Sequence, residues 1–426
     1  MDGTELPMLL TSVPGPRSRA RVDVLARHEC PAITARRVRR AAALGTADDD
    51  PIVWDTALGA VVQDVDGNRF VDLTSAFAVN FLGHRHPSVV QAAKAQSDRL
   101  LHAMGDAWPD DTRIRLLERL ASLAPSGLEV AILGLSGSDA IEVCVKTALL
   151  ATGRRGVLTF EGGYHGLALG AVALQQYSPA FTEPFRGIVH PEVHALPWGC
   201  PPEQVAETVR TKGSGLVLVE PIQGRGGVRT PPSGWHAGIA AASRTEGALF
   251  AFDEIYTGFG RTGVWFAGTT EGVIPDLLCV GKSLAGGFPL SACLGSRAVM
   301  NAWGSSSGEA IHTQTFLGHP VGCAAALAVL DQLEHGPWVA LAAENGARYA
   351  SDLTARGWTV RGRGLMLGIE HPKSLALTRA LLRRGFLTLP AGAKAEVLGI
   401  TPPVTLADAQ WLAFVEALDA SIQEVG

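Results

Sequence analysis

The chain predicts an α/β fold whose core is a mostly parallel sheet, and three features carry that reading. Between Glu129 and about Leu294, short apolar runs alternate with stretches of helical character. The runs are Glu129-Val-Ala-Ile-Leu, Gly156-Val-Leu-Thr-Phe, Gly215-Leu-Val-Leu-Val-Glu, Ala248-Leu-Phe-Ala-Phe and Leu277-Leu-Cys-Val. They are apolar throughout rather than at alternate positions, as strands are when helices cover both faces of a sheet. Polar or glycine-rich groups follow their carboxyl ends, where open parallel sheets bind ligands. These groups are Gly134 to Ser138, Gly162 to Gly166, Glu220 to Gly227, Asp253 to Gly258, and Lys282.

In chain order, residues 1–50 read as an arm with one short helix; they hold Pro14-Gly15-Pro16 and a basic, Ala-rich stretch from Ala35 to Ala43. Gly59 to Val65 and Arg69 to Leu73 are two strands joined at Asp66-Gly67-Asn68, a hairpin. Helical periods follow over Ser88–His102 and Asp111–Leu123. Within the α/β region the helices are Ser138–Ala151, Pro202–Thr211 and His236–Thr245. Beyond His319-Pro320, Val321–Leu333 is an Ala/Leu-rich helix. From Pro337 to Gly426 helix and short strand alternate, which indicates a smaller C-terminal lobe.

Composition removes several classes of function. A net charge of −5 argues against a partner with a phosphate backbone, which needs a basic surface. No apolar run approaches the 18 or so residues that span a bilayer. Met1 to Leu10 carries acids where a secretory signal is basic, so the expected location is the cytoplasm. The six cysteines are scattered without a Cys-x-x-Cys and read as buried or semi-buried thiols in a reducing compartment. His84 and His86 lie in Gly-His-Arg-His-Pro with no acid or thiol beside them in sequence, a turn rather than a metal pair, and no metal is expected.

The chemistry concentrates between Leu249 and Pro289. One apolar run delivers Asp253 and Glu254; the next delivers Lys282 into Ala285-Gly286-Gly287. A carboxylate and a lysine on nearby strand ends suit pyridoxal phosphate, whose protein partners are a Schiff-base lysine and an acid at the pyridine nitrogen. Lys282 also has a plain reading as a surface lysine. Asp253 and Glu254 are sequence neighbours on a strand, so they point to opposite sides and only one faces a site. A nucleotide P-loop fails because Asp276 stands where its first glycine belongs, and no strand leads into Gly-x-Gly-x-x-Gly. Gly134 to Ser138 opens a helix and offers free N–H groups to an anion. Tyr164 and His165, taken alone, could be a packed loop.

These residues carry a resemblance. Asp-Val-Asp-Gly-Asn (64–68), Leu-Gly-His-Arg-His-Pro (82–87), Ser-Gly-Ser-Asp-Ala (136–140) and Gly-Tyr-His-Gly (163–166) come first. Glu-Pro-Ile-Gln-Gly (220–224), Asp-Glu-Ile-Tyr-Thr-Gly-Phe-Gly-Arg-Thr-Gly (253–263), Gly-Lys-Ser-Leu-Ala-Gly-Gly (281–287) and Thr-Phe-Leu-Gly-His-Pro (315–320) follow in order. From about Pro14 to Pro403 the chain resembles the class III pyridoxal-phosphate aminotransferases of fold type I, the ornithine, acetylornithine and 4-aminobutyrate type. The resemblance implies an N-terminal arm and small-domain segment (1–80), a large cofactor domain (81–325) and a C-terminal small domain (326–426). It implies that Lys282 forms the Schiff base and Asp253 keeps the pyridine nitrogen protonated. It also implies that Gly137 and Ser138 bind the phosphate, Tyr164 and Ile255 pack on the two ring faces, and Gln223 approaches the ring hydroxyl. Thr315 would reach the cofactor phosphate of a partner subunit, so a homodimer is expected.

Departures from the family point at the substrate. Members that use glutamate carry an Arg three residues before the Pro-Pro of the C-terminal lobe to grip the α-carboxylate; here that residue is Gly399. They also carry a Glu after the Gln-Gly, where it pairs with that Arg; here it is Arg225. Either Arg225 grips an anionic group from the opposite wall, or the substrate has no α-carboxylate, or Arg225 points to solvent. Leu135 stands where the family often has Asn, and Phe77 is expected to line the pocket. The leading function is transfer of an amino group between an amine or amino acid and a carbonyl compound. Racemase, epimerase or aminomutase chemistry on the same scaffold is the alternative. A binding protein that kept only the fold would have lost Lys282 or Asp253, and both are present.

Overall fold

The computed structural model describes residues 1–33, 51–304, 308 and 310–426. At its centre is a seven-stranded sheet in the order Val130–Gly134, Ser291–Gly295, Leu277–Val280, Leu249–Asp253, Ser214–Val219, Gly156–Phe160 and Val193–Leu196. Six strands run one way; Ser291–Gly295 is antiparallel to both neighbours. All five strands read from the sequence are present, within a residue or two. Two others went unread. Val193–Leu196 is a half-exposed edge strand containing His194, so it has no apolar run to announce it. Ser291–Gly295 reads Ser-Ala-Cys-Leu-Gly, too short and too small to distinguish from a loop.

Alternate residues of the central strands go to opposite faces, as the period of a strand requires. Leu216, Leu218, Ala251, Leu277 and Cys279 pack with Ala140, Ile141 and Cys144 of the helix Gly137–Thr152. Val217, Val219, Phe250, Phe252, Leu278 and Val280 belong to the opposite face, with Val205 and Val209 of Pro202–Lys212 and Ile239 of Trp235–Thr245. Both faces are apolar because both are covered. Each fully buried Val, Leu or Phe contributes about 1.5–3 kcal/mol by leaving water, so this sheet is a well-held base for its strand ends.

The hairpin forms as read: Val61–Asp64 pairs with Arg69–Asp72, with Val62 opposite Phe70, and Gly67 takes φ +88° in the turn. Two further strands complete that sheet. Trp54–Leu58 flanks one side, and Phe386–Leu387, from the far end of the chain, pairs parallel to Arg69–Asp72 on the other. The N- and C-terminal segments thus join in one smaller lobe. A separate antiparallel sheet holds Val360–Arg363, Met366–Glu370, Val397–Ile400 and Leu389–Ala391. The arm contains the helix Pro16–His28; the Ala35–Ala43 stretch lies outside the described residues. The helix read over Ser88–His102 ends earlier, at Arg99, where Leu100 turns extended.

The cysteine reading needs one correction. Cys30 is exposed, on a short arm segment with no core to enter, and the other five are buried. Cys144, Cys279 and Cys293 meet in the core with their sulfurs within 4.8 Å of one another, because two adjacent strands and the covering helix contribute one each.

Candidate active site

The carboxyl ends of the parallel strands converge on one edge of the sheet, and the polar groups read from the sequence gather there. Asp253 ends the strand Leu249–Asp253 in register with Cys279, three residues before Lys282. It is 4% exposed, and its Oδ2 lies 2.8 Å from His165 Nδ1 while its Oδ1 accepts the Ile255 N–H at 3.1 Å. Burial works to lower the basicity of His165, but the hydrogen bond and charge of Asp253 prevail and hold the imidazole above its ordinary range. A buried carboxylate needs such partners. Glu254 faces the other way, accepting from the Thr257 hydroxyl and from the Gly268 N–H at 2.6 Å. Burial pushes it up to about 7. The two acids divide as strand geometry demands: Asp253 to the site, Glu254 to the loop behind it.

Lys282 begins a short helical turn after Leu277–Val280 with φ +41°, in the left-handed region that a non-glycine residue adopts only when its surroundings enforce it. It is no surface lysine. Burial lowers its pKa to about 8, against the pull of Asp253 and Glu220, with Arg225 and Arg261 adding to the fall. Its ε-nitrogen stands over the ring of Tyr256, 3.6 Å from the centroid. Ser283 ties the next position to the Ala78 carbonyl at 2.9 Å.

The helix start at Gly137 is built to leave N–H groups free. Ser136 and Asp139 form a capping box, and the Asp139 carboxylate takes the amides of Leu135 and Ser136, each at 2.9 Å. The helix itself gives no partner to the amides of Gly137 and Ser138, and the Ser138 hydroxyl stands beside them. Around this point the backbone is crowded: a Cβ on Gly166 would lie 2.2 Å from Ser138 Oγ, and one on Gly137 would lie 3.1 Å from Ile255 Cδ1. Glycine at both positions keeps a cradle open between helix start, Ile255 and the Tyr164 loop. A buried acid, a lysine of depressed pKa and a cradle of free N–H groups on one sheet edge fit pyridoxal phosphate.

The wall beside this platform was less legible. Glu220 accepts the N–H groups of Tyr164 at 2.8 Å and Gly224 at 3.0 Å, and burial raises it to about 7. The guanidinium of Arg225 lies 4.6 Å from the Tyr164 ring centroid and 5.0 Å from that of Tyr177. Its carbonyl accepts from Gly392 N–H at 2.8 Å, and Tyr177 donates its hydroxyl to the Gly392 carbonyl at 3.1 Å. Arg225 is exposed, yet it is held on the tyrosine wall near enough to act on Lys282, which disfavours the reading in which it merely points to solvent. Gly399 sits mid-strand between Gly368 and Leu389, with no side chain to offer.

Some residues stand differently from the simplest expectation. Gln223 has both ends of its amide engaged, donating to the Glu161 carbonyl at 2.9 Å and accepting from Arg229 at 3.3 Å. Phe77 lies in a turn, Ser75–Ala78, whose four residues all have positive φ, and its ring is 64% exposed. Asp72 holds that turn through Thr74 and the Ala76 N–H, and it also binds His84 at 2.8 Å. The acid missing beside His84 in sequence is thus supplied twelve residues upstream. His86 packs edge-on against Trp338. Thr315 is exposed. His165 was weighed only as part of a packed loop, and Glu220, Tyr177 and Tyr256 were given no role from the sequence. His165 and Glu220 sit at strand ends beside residues that were given one, and position was the usable signal; Tyr177 and Tyr256 had none.

Fold and site together define the class: a pyridoxal-phosphate enzyme built on a mostly parallel sheet. Residues 45–422 match the model of the class III aminotransferases, and the chain belongs to that family. It is 36% identical to an acetylornithine aminotransferase of Mycolicibacterium smegmatis, over 87% of this chain and 93% of that one. It is 30% identical to a 4-aminobutyrate aminotransferase of Mycobacterium leprae, over 94% of each. Among solved structures, an amine transaminase from an uncultivated Pseudomonas species, with pyridoxal phosphate bound, superposes with a TM-score of 0.82 at 28% identity, covering 89% of this chain and 96% of that one. The ornithine aminotransferase of Toxoplasma gondii gives 0.84 at 25% identity, over 96% and 95%. The chain is a pyridoxal-phosphate-dependent aminotransferase of class III, and these relatives give no support to the isomerase alternative.

Proposed function

We propose that the platform works as a transaminase centre in which Lys282 is the proton carrier, Asp253 the partner of the pyridine nitrogen and Arg225 the reader of an anionic group on the substrate. The observation that carries this is the placement of Asp253 at the end of one parallel strand and of Lys282 just beyond the end of the next, with the lysine depressed to about 8. When bound, pyridoxal phosphate withdraws electrons from the substrate carbon that bears nitrogen. Asp253, aimed by His165 and the Ile255 N–H, holds the proton on the ring nitrogen. Lys282 would take the proton from the substrate carbon as base and then give it up as acid. A pKa near 8 suits both halves of that task; an ordinary lysine is too firmly protonated for the first.

In the same reading the Gly137 and Ser138 N–H groups and the Ser138 hydroxyl bind the phosphate. Tyr164 and Ile255 would hold the ring between them, and Gln223 would approach the ring hydroxyl on exchanging one of its present partners. Phe77 borders the entrance. The chain is read as an arm with a small-domain segment (1–80), a cofactor domain (81–325) and a C-terminal domain (326–426). A homodimer accounts for Thr315 and for its exposed apolar surroundings: Leu101, Met104, Trp108, Ile311 and Phe316, with His102 against Phe316 at 5.2 Å. Free thiols and the acidic balance suit the cytoplasm. Among the described residues no helix is long and apolar enough to cross a membrane. The test is a donor panel scored by conversion of the pyridoxal to the pyridoxamine form. Amine donors should drive it in the wild type and none should in Lys282→Ala; conversion by the variant would refute the assignment.

A further inference from the structure

Three thiols in the core have no task in the account so far. Cys144 stands on the helix Gly137–Thr152, and Cys279 and Cys293 are direct partners on adjacent antiparallel strands beneath it. All three are 0% exposed, and their sulfurs lie within 4.8 Å of one another. Ala140, Ile141, Val143, Ala251 and Leu277 belong to the same apolar cluster. The Cys279 thiol donates to the Ala140 carbonyl at 3.5 Å, a weak bond to an oxygen that already serves the helix. Among the described residues no His, Asp or Glu joins the three sulfurs as a fourth ligand.

We propose that Cys144, Cys279 and Cys293 form a binding site for a trivalent thiophilic metalloid, taken up as arsenous acid and held as a neutral arsenic trithiolate. Geometry admits such a centre. Soft centres bond thiolate sulfur at about 2.3 Å, so three sulfurs around one centre lie about 4 Å apart when the group is flat and closer when it is pyramidal. Sulfurs already within 4.8 Å reach that spacing by small side-chain rotations. Charge then selects the occupant. A buried charge is costly unless it is paired, and this core is apolar. Copper(I) or zinc on three thiolates leaves a net negative charge there, and zinc also wants a fourth ligand. Arsenic(III) on three thiolates leaves none and is satisfied by three bonds. At neutral pH it dissolves as an uncharged trihydroxide, so it enters the core without shedding a charge. On binding, three As–O and three S–H bonds break, three As–S bonds form, and three waters leave with the thiol protons; no atom changes oxidation state. The sulfurs are sealed from solvent, so entry waits on transient opening of the helix from the strands, and uptake is slow. Once in place the centre ties together the helix that opens at Gly137, the strand that leads to Lys282 and the strand antiparallel to it.

The experiment incubates the holoenzyme with sodium arsenite after reduction by a phosphine, which leaves no competing thiol, at a temperature just below the onset of unfolding. The protein is then desalted and its arsenic measured by elemental mass spectrometry and X-ray absorption. The wild type should retain one arsenic per chain with three sulfur neighbours and no oxygen. Cys144→Ala, Cys279→Ala and Cys293→Ala should each weaken retention about 100-fold or more, the gain in affinity that one further intramolecular link supplies. Cys30→Ser, at the exposed thiol of the arm, should leave it unchanged. Cofactor absorbance reports whether each variant has folded; where an alanine variant has not, valine at the same position, which fills the core, takes its place. No arsenic on the desalted wild type overturns the proposal, as does retention undiminished in all three core variants or a centre with two sulfurs and an oxygen. A parallel incubation with zinc chloride judges the charge argument: zinc should wash out, and zinc held as firmly as arsenic overturns it.

Discussion

The two halves of the site are held in different ways. The cofactor platform stands on the ends of adjacent parallel strands: Asp253, Lys282 and the helix start at Gly137 owe their positions to the register of a sheet packed on both faces. The substrate wall is assembled from afar. Arg225 leans on Tyr164 and Tyr177, and its carbonyl is tied to Gly392; Tyr256 packs against Ile222, Val228 and Met366. A sheet edge positions groups to a fraction of an ångström and tolerates little change. A wall of loops and stacked rings can be rebuilt without disturbing it. The platform holds the groups proposed to serve the shared chemistry, and the wall holds Arg225, where the sequence departs from the family pattern it resembles.

Substitutions should divide along the same line. The largest effect belongs to Lys282→Ala, which removes the proton carrier; kcat should fall by at least about 10⁴-fold, followed as single-turnover conversion. Asp253→Asn should follow, with kcat down about 10²–10⁴-fold and cofactor retained less firmly, measured by dialysis and absorbance. Arg225→Ala should leave kcat near the wild-type value and raise KM for an anionic substrate about tenfold or more, the worth of a charge-assisted hydrogen bond. A fall in kcat equal to that of the platform variants would break the division. Tyr177→Phe, which loses only the bond to Gly392, should change KM by less than about fivefold.

Stability offers a smaller, independent check. Burial raises Glu254 to about 7, so the native protein holds a proton that the unfolded chain, near 4.5, has lost. Where the native state binds more protons, stability falls as pH rises. Glu254 therefore costs stability progressively from about pH 4.5 to 7 and fully above that. Glu254→Gln keeps one acceptor oxygen for the Gly268 N–H, leaves the Thr257 hydroxyl to turn and accept from the new amide, and removes the titration, so Tm should decline less steeply between pH 5 and 8 than in the wild type.

How much of this was legible beforehand follows from the same contrast. The apolar runs at Gly156, Ala248 and Leu277 announced buried strands, and their polar ends announced the platform, because burial on both faces leaves a continuous signal. Asp253 and Glu254 were assigned to opposite sides from strand geometry alone. The contacts that order the wall left no such trace. Tyr177 to Gly392 spans 215 residues and Ser75 to Thr401 spans 326. No local period links residues that far apart, so the tyrosine clamp on Arg225 and the left-handed turn carrying Phe77 emerged only from the folded chain. His84 is the same case at short range: its partner Asp72 lies across the turn rather than beside it in sequence.

The central claim is that Lys282, and no other lysine, joins the cofactor opposite Asp253. Reduction of the holoenzyme with borohydride, followed by peptide mass mapping, tests it most directly. The account predicts loss of the cofactor's long-wavelength absorbance together with one phosphopyridoxyl mass gain per chain, on the peptide holding Lys282. A label on any other lysine, or none on a fully loaded enzyme, would contradict it.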